Sequence, residues 1–509
     1  MAQSIVGTNL LANWQATSAR VACRVRADWN KDGAYTGTHE DITERVVSVS
    51  MAHRLYDPLA GLPLLGDVAP GDATITVSND DRFFSPDNAA GIVATYPNLA
   101  HGIYRIPVMI EIGYYNGATP ERLIQFVGEI ESTSEAESEG ESMITFGCID
   151  RAVGLLQGKI SSGLYERQRT DTLINAYLTL AGWAHSVSLD AGMSTIPLAW
   201  ADDENAWDEC RALAASEGGY FFVGKEGVAT FRRMTAPLER SDSRTSRATL
   251  DQGNTVEYQS GIAWQDVYSE VVMEYTGRYE GLPEEIWKAP RDIYIEAGEI
   301  VFEEARFRYP VTAVFEPAYG TDYNAVTSGF HPSNVVTITM TPYAQSAVLQ
   351  IENTHTHQSV HVVDLKLRGE PLLGEEAQQA RFASSLGMVE DKDFKVRDNP
   401  YQQTEEQVAR VGGYLRDRLQ RPRRLLSWRG PACPWLELLD RVHLSHNTMT
   451  PNPGVSVDCY VLANSMHYRA GGMFDQELLL LPVTDVFAYS DYFLIGLSTC
   501  ALISDRAGY

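Results

Sequence analysis

From Ala19 to about Leu156 apolar residues return at every second position, and that period leaves few folds open. Val21, Cys23 and Val25 alternate with Arg24 and Arg26; Val47, Val49 and Met51 alternate with Ser48 and Ser50; Val108, Ile110 and Ile112 repeat the pattern. Successive side chains of a strand point to opposite faces, so each run buries one face of a sheet and wets the other. An antiparallel β-domain closed as a small barrel is predicted. Within it Glu129–Glu141 (EIESTSEAESEGE) reads as a solvated hairpin tip rather than a metal site.

The period then becomes helical. Leu173, Ile174, Tyr177, Leu178 and Ala181 place one stripe on a helix ended at Gly182, and Trp207, Cys210, Leu213 and Ala214 do so on a helix stopped by Gly218 and Gly219. The second helix feeds a β-hairpin, Tyr220–Val223 and Val228–Phe231 about a Gly-Lys-Glu-Gly turn. Strands return beyond Thr249 (Tyr268–Tyr275, Val335–Met340, Val360–Leu367), and a boundary falls near Lys392–Asn399. Thr404 and Gln407 form a capping box ahead of a helix whose buried stripe is Val408, Val411, Leu415 and Leu419. Leu425–Trp428, Arg441–Leu444, Val457–Leu462 and Gln476–Leu481 follow as strands. The fold class is therefore mainly β with α+β insertions, divided as 1–156 (β-barrel), 157–250 (small α/β domain), 251–395 (β-rich connecting domain), 396–485 (second antiparallel β-barrel with an N-terminal helix) and 486–509 (apolar C-terminal arm).

With 509 residues and 44% hydrophobic content the chain can bury several cores. Its 67 acidic against 41 basic residues give a net charge of −26, which argues against a sequence-independent nucleic-acid binder, since neutralising phosphate needs surplus Lys and Arg. An acidic wall suits a conduit through which DNA slides; it also keeps an assembly subunit soluble. The six cysteines are far apart and form no C-x-x-C pair, so buried thiols made in a reducing cytoplasm are expected. No stretch reaches the ~18–20 apolar residues of a membrane span, and no signal peptide is read at the N-terminus.

Residues 71–99 (GDATITVSNDDRFFSPDNAAGIVATYPNL) run from a strand, Ala73–Val77, into an Asp/Asn-rich turn and close on Tyr96-Pro97-Asn98-Leu99. Asn79, Asp80 and Asp81 can cap their own backbone, while Pro86 and Pro97 forbid a regular ladder, so this is a structured loop carrying aromatics. The segment resembles the "strand, D-x-R-F-S-P-x-N, Y-P-N-L" stretch of phage tail-tip hub (minor tail, baseplate-hub-like) proteins. Leu123–Ile130 with Met143–Leu156, Asp171–Trp183, Ala206–Phe231 and Arg429–His443 are similar to later blocks of that family, in the same order. One departure stands out: where the family reads G-D-x-V, this chain has Leu439-Asp440-Arg441-Val442. The ending, Val486–Tyr509, is also similar to the family's.

The resemblance implies a homotrimer whose two related barrels per chain give a ring matching a six-fold tail tube. It implies neighbours in a distal tail protein or tube ring, the tape measure protein, and tip fibre or plug proteins, with no sequence-specific nucleic acid. The virion tail tip is the implied location, and contact with a host envelope comes only through the assembled particle. A host-surface carbohydrate binder or wall-degrading tail component is the competing reading. Candidate interface residues are Phe83, Phe84, Tyr96 and Leu99 in the loop, Arg421, Arg423 and Arg424 from the basic run Arg416–Arg424, and Tyr492, Phe493 and Tyr509 in the arm. The basic run reads first as complementing a helix C-terminus and pairing with an acidic neighbour.

For chemistry the sequence offers little. Asp28, Asn30 and Asp32 before Gly33 fit the opening of a calcium loop, but the twelfth position is His39 rather than Glu, with Glu40 and Asp41 one and two residues late. An Asx-rich turn without an ion is the alternative, and no other cofactor is expected. His355, His357 and His361 share one parity along an apparent strand. No G-x-S-x-G, H-E-x-x-H or G-x-x-x-x-G-K-[ST] occurs, so no catalytic residue is assigned and no enzyme is expected.

Overall fold

The computed structural model describes residues 8–16, 19–55, 68–99, 102–138, 140–263, 267–327, 335–384, 386, 391–396, 398–446 and 455–483. The arm Val486–Tyr509, with Tyr492, Phe493 and Tyr509, lies outside the described residues.

The period-two segments do form strands, and a single sheet gathers twelve of them from both ends of the chain. These are β1 (Val21–Ala27), β2 (Val46–Arg54), β3 (Asp72–Ser78), β4 (Pro107–Asn116), β5 (Thr119–Ser138), β6 (Glu141–Asp150), β7 (Thr249–Asp251), β8 (Glu257–Ala263), β9 (Arg423–Pro431), β10 (Arg441–His446), β11 (Val455–Arg469) and β12 (Met473–Pro482). The order is β1-β4-β5-β6-β3-β2-β11-β12-β9-β8, with β10 added beside β11 and β7 beside β10. Where two closed barrels were expected, the described strands form none: β2 pairs β3 on one edge and β11 on the other, Ser48 opposite Arg469 and Arg54 opposite Ala463. The buried faces accordingly share one core, in which Val25, Ile75, Ile110 and Phe146 of the first strands are fully buried with Trp428, Val442 and Leu480 of the last. Helix α1 (Thr8–Trp14) lies against the same core through Leu10 and Trp14.

The helical stripes are as the spacing predicts. Helix α2 (Thr170–Leu180) buries Leu173, Ile174, Tyr177 and Leu178, and α3 (Ala206–Ser216), capped by the Asn205 side chain, buries Trp207, Cys210, Leu213 and Ala214. Both share a core with Phe221 and Phe231 of the hairpin. Helix α4 (Glu405–Leu419) carries the complete Thr404–Gln407 capping box and buries the whole predicted stripe. A third core, around Ala305, Leu349, Ile351 and Val362, belongs to the β-rich segment between.

The family pattern's missing glycine has a structural counterpart. Leu439 sits at φ 65°, the left-handed region that glycine occupies without strain, and its side chain is buried nonetheless.

Around it, Pro431–Asp440 crosses the interior with little regular structure, and donors from the rest of the chain satisfy its carbonyls. Lys225, on the hairpin turn, donates from Nζ to the Pro434 and Leu436 carbonyls at 2.5 and 3.0 Å; Gln125 of β5 also donates to Pro434, Tyr114 of β4 to Ala432, and Trp14 to Pro431. Burial pushes the Lys225 ammonium down, and the nearby Glu437 and Asp440 carboxylates oppose that shift. Lys225→Met, which keeps the stem and removes the donor, is expected to cost about 1–3 kcal/mol in urea unfolding, because the Pro434 and Leu436 carbonyls each lose one of two donors and keep only Gln125 and Asn464.

Asp150, at the end of β6, is fully buried and accepts the amides of Gly71 (2.6 Å) and Ala152 (2.8 Å). Burial pushes its carboxyl up to about 7. The unfolded group titrates near ~3.9, so between those values the folded chain holds a proton that the unfolded chain releases, and stability falls as pH rises toward 7. Asp150→Asn should flatten that slope in denaturation curves taken across the window; an unchanged slope would exclude Asp150 as its source.

Candidate interaction site

The turn after β1 and the loop after β3, far apart in sequence, form one surface feature. Trp29 anchors the turn: it is fully buried, its ring 5.9 Å from Phe84 and 6.3 Å from Phe146, and its Nε1 donates to the His39 carbonyl at 2.8 Å. Around it the polar residues hold the backbone. Asp28 accepts the amides of Asp32 (3.2 Å) and Gly33 (2.9 Å), Asn30 accepts that of Asp32 (3.0 Å), and Asp32 accepts that of Ala34 (2.7 Å). Asn30 also donates to Asp32 at 3.0 Å, so the three residues of the candidate calcium loop are brought together. As placed, no three His, Cys, Asp or Glu side chains among the described residues converge into a ready metal cage.

Loop 79–99 clasps this turn. Tyr96 donates its hydroxyl to the Thr38 carbonyl, Asn98 donates to the Trp29 carbonyl (2.6 Å), and Phe83 meets the His39 ring at 5.0 Å. Asn79 organises the loop's interior: its amide group donates to Ser85 and Glu135 and accepts the Phe84 amide at 2.9 Å. Glu135 thus serves the loop, although the residues around it on the β5–β6 hairpin are exposed as the sequence predicts.

Phe84 and Leu99, expected at an interface, are fully buried and cannot offer their side chains to a partner. The asymmetry has a physical cause: Asn79 pins the Phe84 backbone inward, whereas Phe83 stays half-buried beneath the Arg45 guanidinium, 4.8 Å from its ring, itself fixed by two hydrogen bonds to Asp81. Tyr96 is also half-buried. Phe83 and Tyr96 are therefore the loop's contact candidates.

The basic run is largely consumed internally. Arg418 is buried against the Tyr414 hydroxyl (2.6 Å), Arg423 is buried, Arg416 pairs with Asp417, and Arg424 donates to Ser260 and Tyr258 of β8. Arg421 alone of the five is exposed. The sequence could not distinguish these roles, since it does not show that β8 pairs with β9.

The three histidines do not share a strand. The strand Ser346–Asn353 ends before His355, whose Nδ1 accepts the amides of His357 and Gln358 in a turn, while His361 lies on Val360–Val363 against Tyr294. A constellation missed in the sequence is Ser456, His443 and Asp458, with His443 Nδ1 2.8 Å from Asp458 Oδ1 and Nε2 3.4 Å from Ser456 Oγ. It lies across paired strands β10 and β11, β10 being flanked also by β7; a ladder that engages backbone amides on both sides leaves no preset pair of donors for an oxyanion. Its carboxylate is shared with Arg441, and the group reads as cross-strand pairing.

No family model matches the chain, and no curated protein sequence is similar to it. Solved structures are similar to it over nearly its whole length. A tail protein from Neisseria meningitidis MC58 covers 91% of this chain and 97% of its own, with a TM-score of 0.50 at 11% identity. The 43 kDa tail protein of prophage MuSo2 from Shewanella oneidensis covers 92% and 99%, with a TM-score of 0.49 at 10% identity. The likeness to the Neisseria protein is one of fold: the two chains share a mainly β architecture with α/β insertions.

Phe84→Ala should cost about 3–5 kcal/mol in urea unfolding, since it empties a fully enclosed site, whereas Phe83→Ala should cost about 1 kcal/mol or less. Equal losses would contradict the separate roles of the two rings.

Proposed function

We propose that the chain is a structural component of a bacteriophage-type tail, a hub at the tail tip that joins the tube or distal tail ring to the distal tip or fibres. The observation that carries the reading is the full-length agreement of fold with a tail protein, 91% of one chain against 97% of the other, which leaves little of this chain outside the shared architecture. The joining of both ends of the chain in one sheet adds to it, because a part that transmits load along a tail needs its segments fastened into one body.

On this reading the chain assembles as a homotrimer, meets the tube ring and tape measure protein on one side and fibre or plug proteins on the other, and lines part of the DNA ejection path. The net charge of −26 favours a wall that phosphate does not adhere to. Phe83, Tyr96 and Arg421 are the described side chains proposed for contacts. No catalytic role is proposed.

Electron microscopy of tailed particles carrying a tagged copy is expected to place the tag at the tip with threefold symmetry. A tag distributed along the tube, or a sixfold ring, would overturn the hub reading, and release of fragments from peptidoglycan by the pure chain would restore the wall-degrading one.

A further inference from the structure

The turn between β1 and β2 holds one buried oxygen that the rest of the fold does not use. Glu40 is fully buried; its Oε2 accepts the Gly37 amide at 2.5 Å, and its Oε1 has no hydrogen-bond partner. A buried carboxylate oxygen left without a donor is costly, so it calls for a positive partner. Glu40 is not isolated from the calcium-like run. The Ala27 amide donates to the Glu40 carbonyl at 2.9 Å, which sets the residue beside the start of that run at Asp28. The Tyr96 hydroxyl donates to the Thr38 carbonyl and so sets loop 79–99 against the same stretch.

The backbone explains why Glu40, and not its neighbours, turns to that region. Lys31 and Gly33 at φ 58° and 81° curl the run so that Asp28, Asn30 and Asp32 meet. His39, in the position where a calcium loop carries Glu, has φ 62° and is exposed, its ring against Phe83; the next residue, Glu40, is directed inward. Asp41 is engaged elsewhere, accepting from Thr43 and from Arg24 at 3.1 Å. The Lys31 ammonium is turned to the Tyr104 carbonyl at 3.4 Å.

We propose that this turn binds a hard divalent cation of the calcium class, with oxygen ligands from Asp28, Asn30 and Asp32 and with Glu40 in place of the usual twelfth-position glutamate. Such an ion takes six to eight oxygens in flexible geometry, and the exposed Asp32 side chain and Glu40 would move to complete its shell. Because Trp29, Asn98 and Tyr96 tie the turn to loop 79–99, the ion would also fix the face that carries Phe83. The binding itself does not depend on the tail reading.

The full chain is titrated with terbium, whose emission nearby Trp29 and Tyr96 would sensitise, then with calcium as competitor, and melted in calcium and in chelator. The expected result is terbium emission displaced by calcium and a melting temperature raised by calcium, as for any ligand bound only to the folded state. Glu40→Gln should weaken terbium binding by about tenfold or more, while Asp41→Asn should leave it unchanged. Should Glu40→Gln misfold, Asp32→Asn, at an exposed position, must show the same loss. Identical melting with calcium and chelator, or Glu40→Gln and Asp32→Asn both binding as well as wild type, would overturn the proposal.

Discussion

Burying irregular backbone is among the costliest things a fold can do, because each amide and carbonyl removed from water needs a partner that no helix or ladder supplies. Pro431–Asp440 does this in the interior of the molecule, and its partners come from both ends of the chain and from the α/β unit. Trp14 precedes the first strand, Tyr114 and Gln125 lie on β4 and β5, Lys225 comes from the α/β unit, and Asn464 and Gln476 lie on β11 and β12. None of these groups could reach the segment unless its own element were already in place. The segment is thus a test of assembly: it is satisfied only when the N-terminal strands, the hairpin and the C-terminal strands are all docked.

The sheet has the same logic at larger scale. β2 and β11 are separated by some four hundred residues of chain but pair in register, and the loop closure this requires is paid for by a core common to both ends. The α/β unit and the β-rich segment are therefore insertions within a sheet whose edges come from far apart. Lys225 ties the first of these to the centre, and the extended pairing of β8 with β9 ties the chain leaving it.

Much of this was legible locally and little of it globally. A period of two announces a strand, and a capping box announces a helix start, because both are set by neighbours within a few residues; Thr404–Gln407 and the α2 and α3 stripes are cases. Which strand pairs with which is not in the period, so β2 could be read as closing a barrel when it joins β11 instead. The same limit governed side chains. Phe83 and Phe84 are adjacent and chemically alike, and what separates them is Asn79 and the reach of Trp29 from another loop. The arginines of α4 and β9 read as a patch in sequence but are spent on Tyr414, Asp417 and β8, contacts that only the fold creates. Leu439 is the converse case: the departure from a glycine was visible, and the strained backbone it implies is present.

The surface formed by turn and loop combines these two scales. Its short-range order is encoded in Asx side chains that cap their own backbone, as at Asp28, Asn30 and Asp32, and Asp81. Its long-range order comes from Trp29 and Phe84, which share one apolar site and so fix the turn and loop against each other before any partner arrives. A contact surface organised in this way gives up little further conformational freedom on binding, since the exposed faces of Phe83 and Tyr96 are carried on backbone that is already held. For a chain with a net charge of −26 that preorganisation would matter more than charge attraction between copies, because like-charged surfaces approach only where packing and hydrogen bonds outweigh their repulsion.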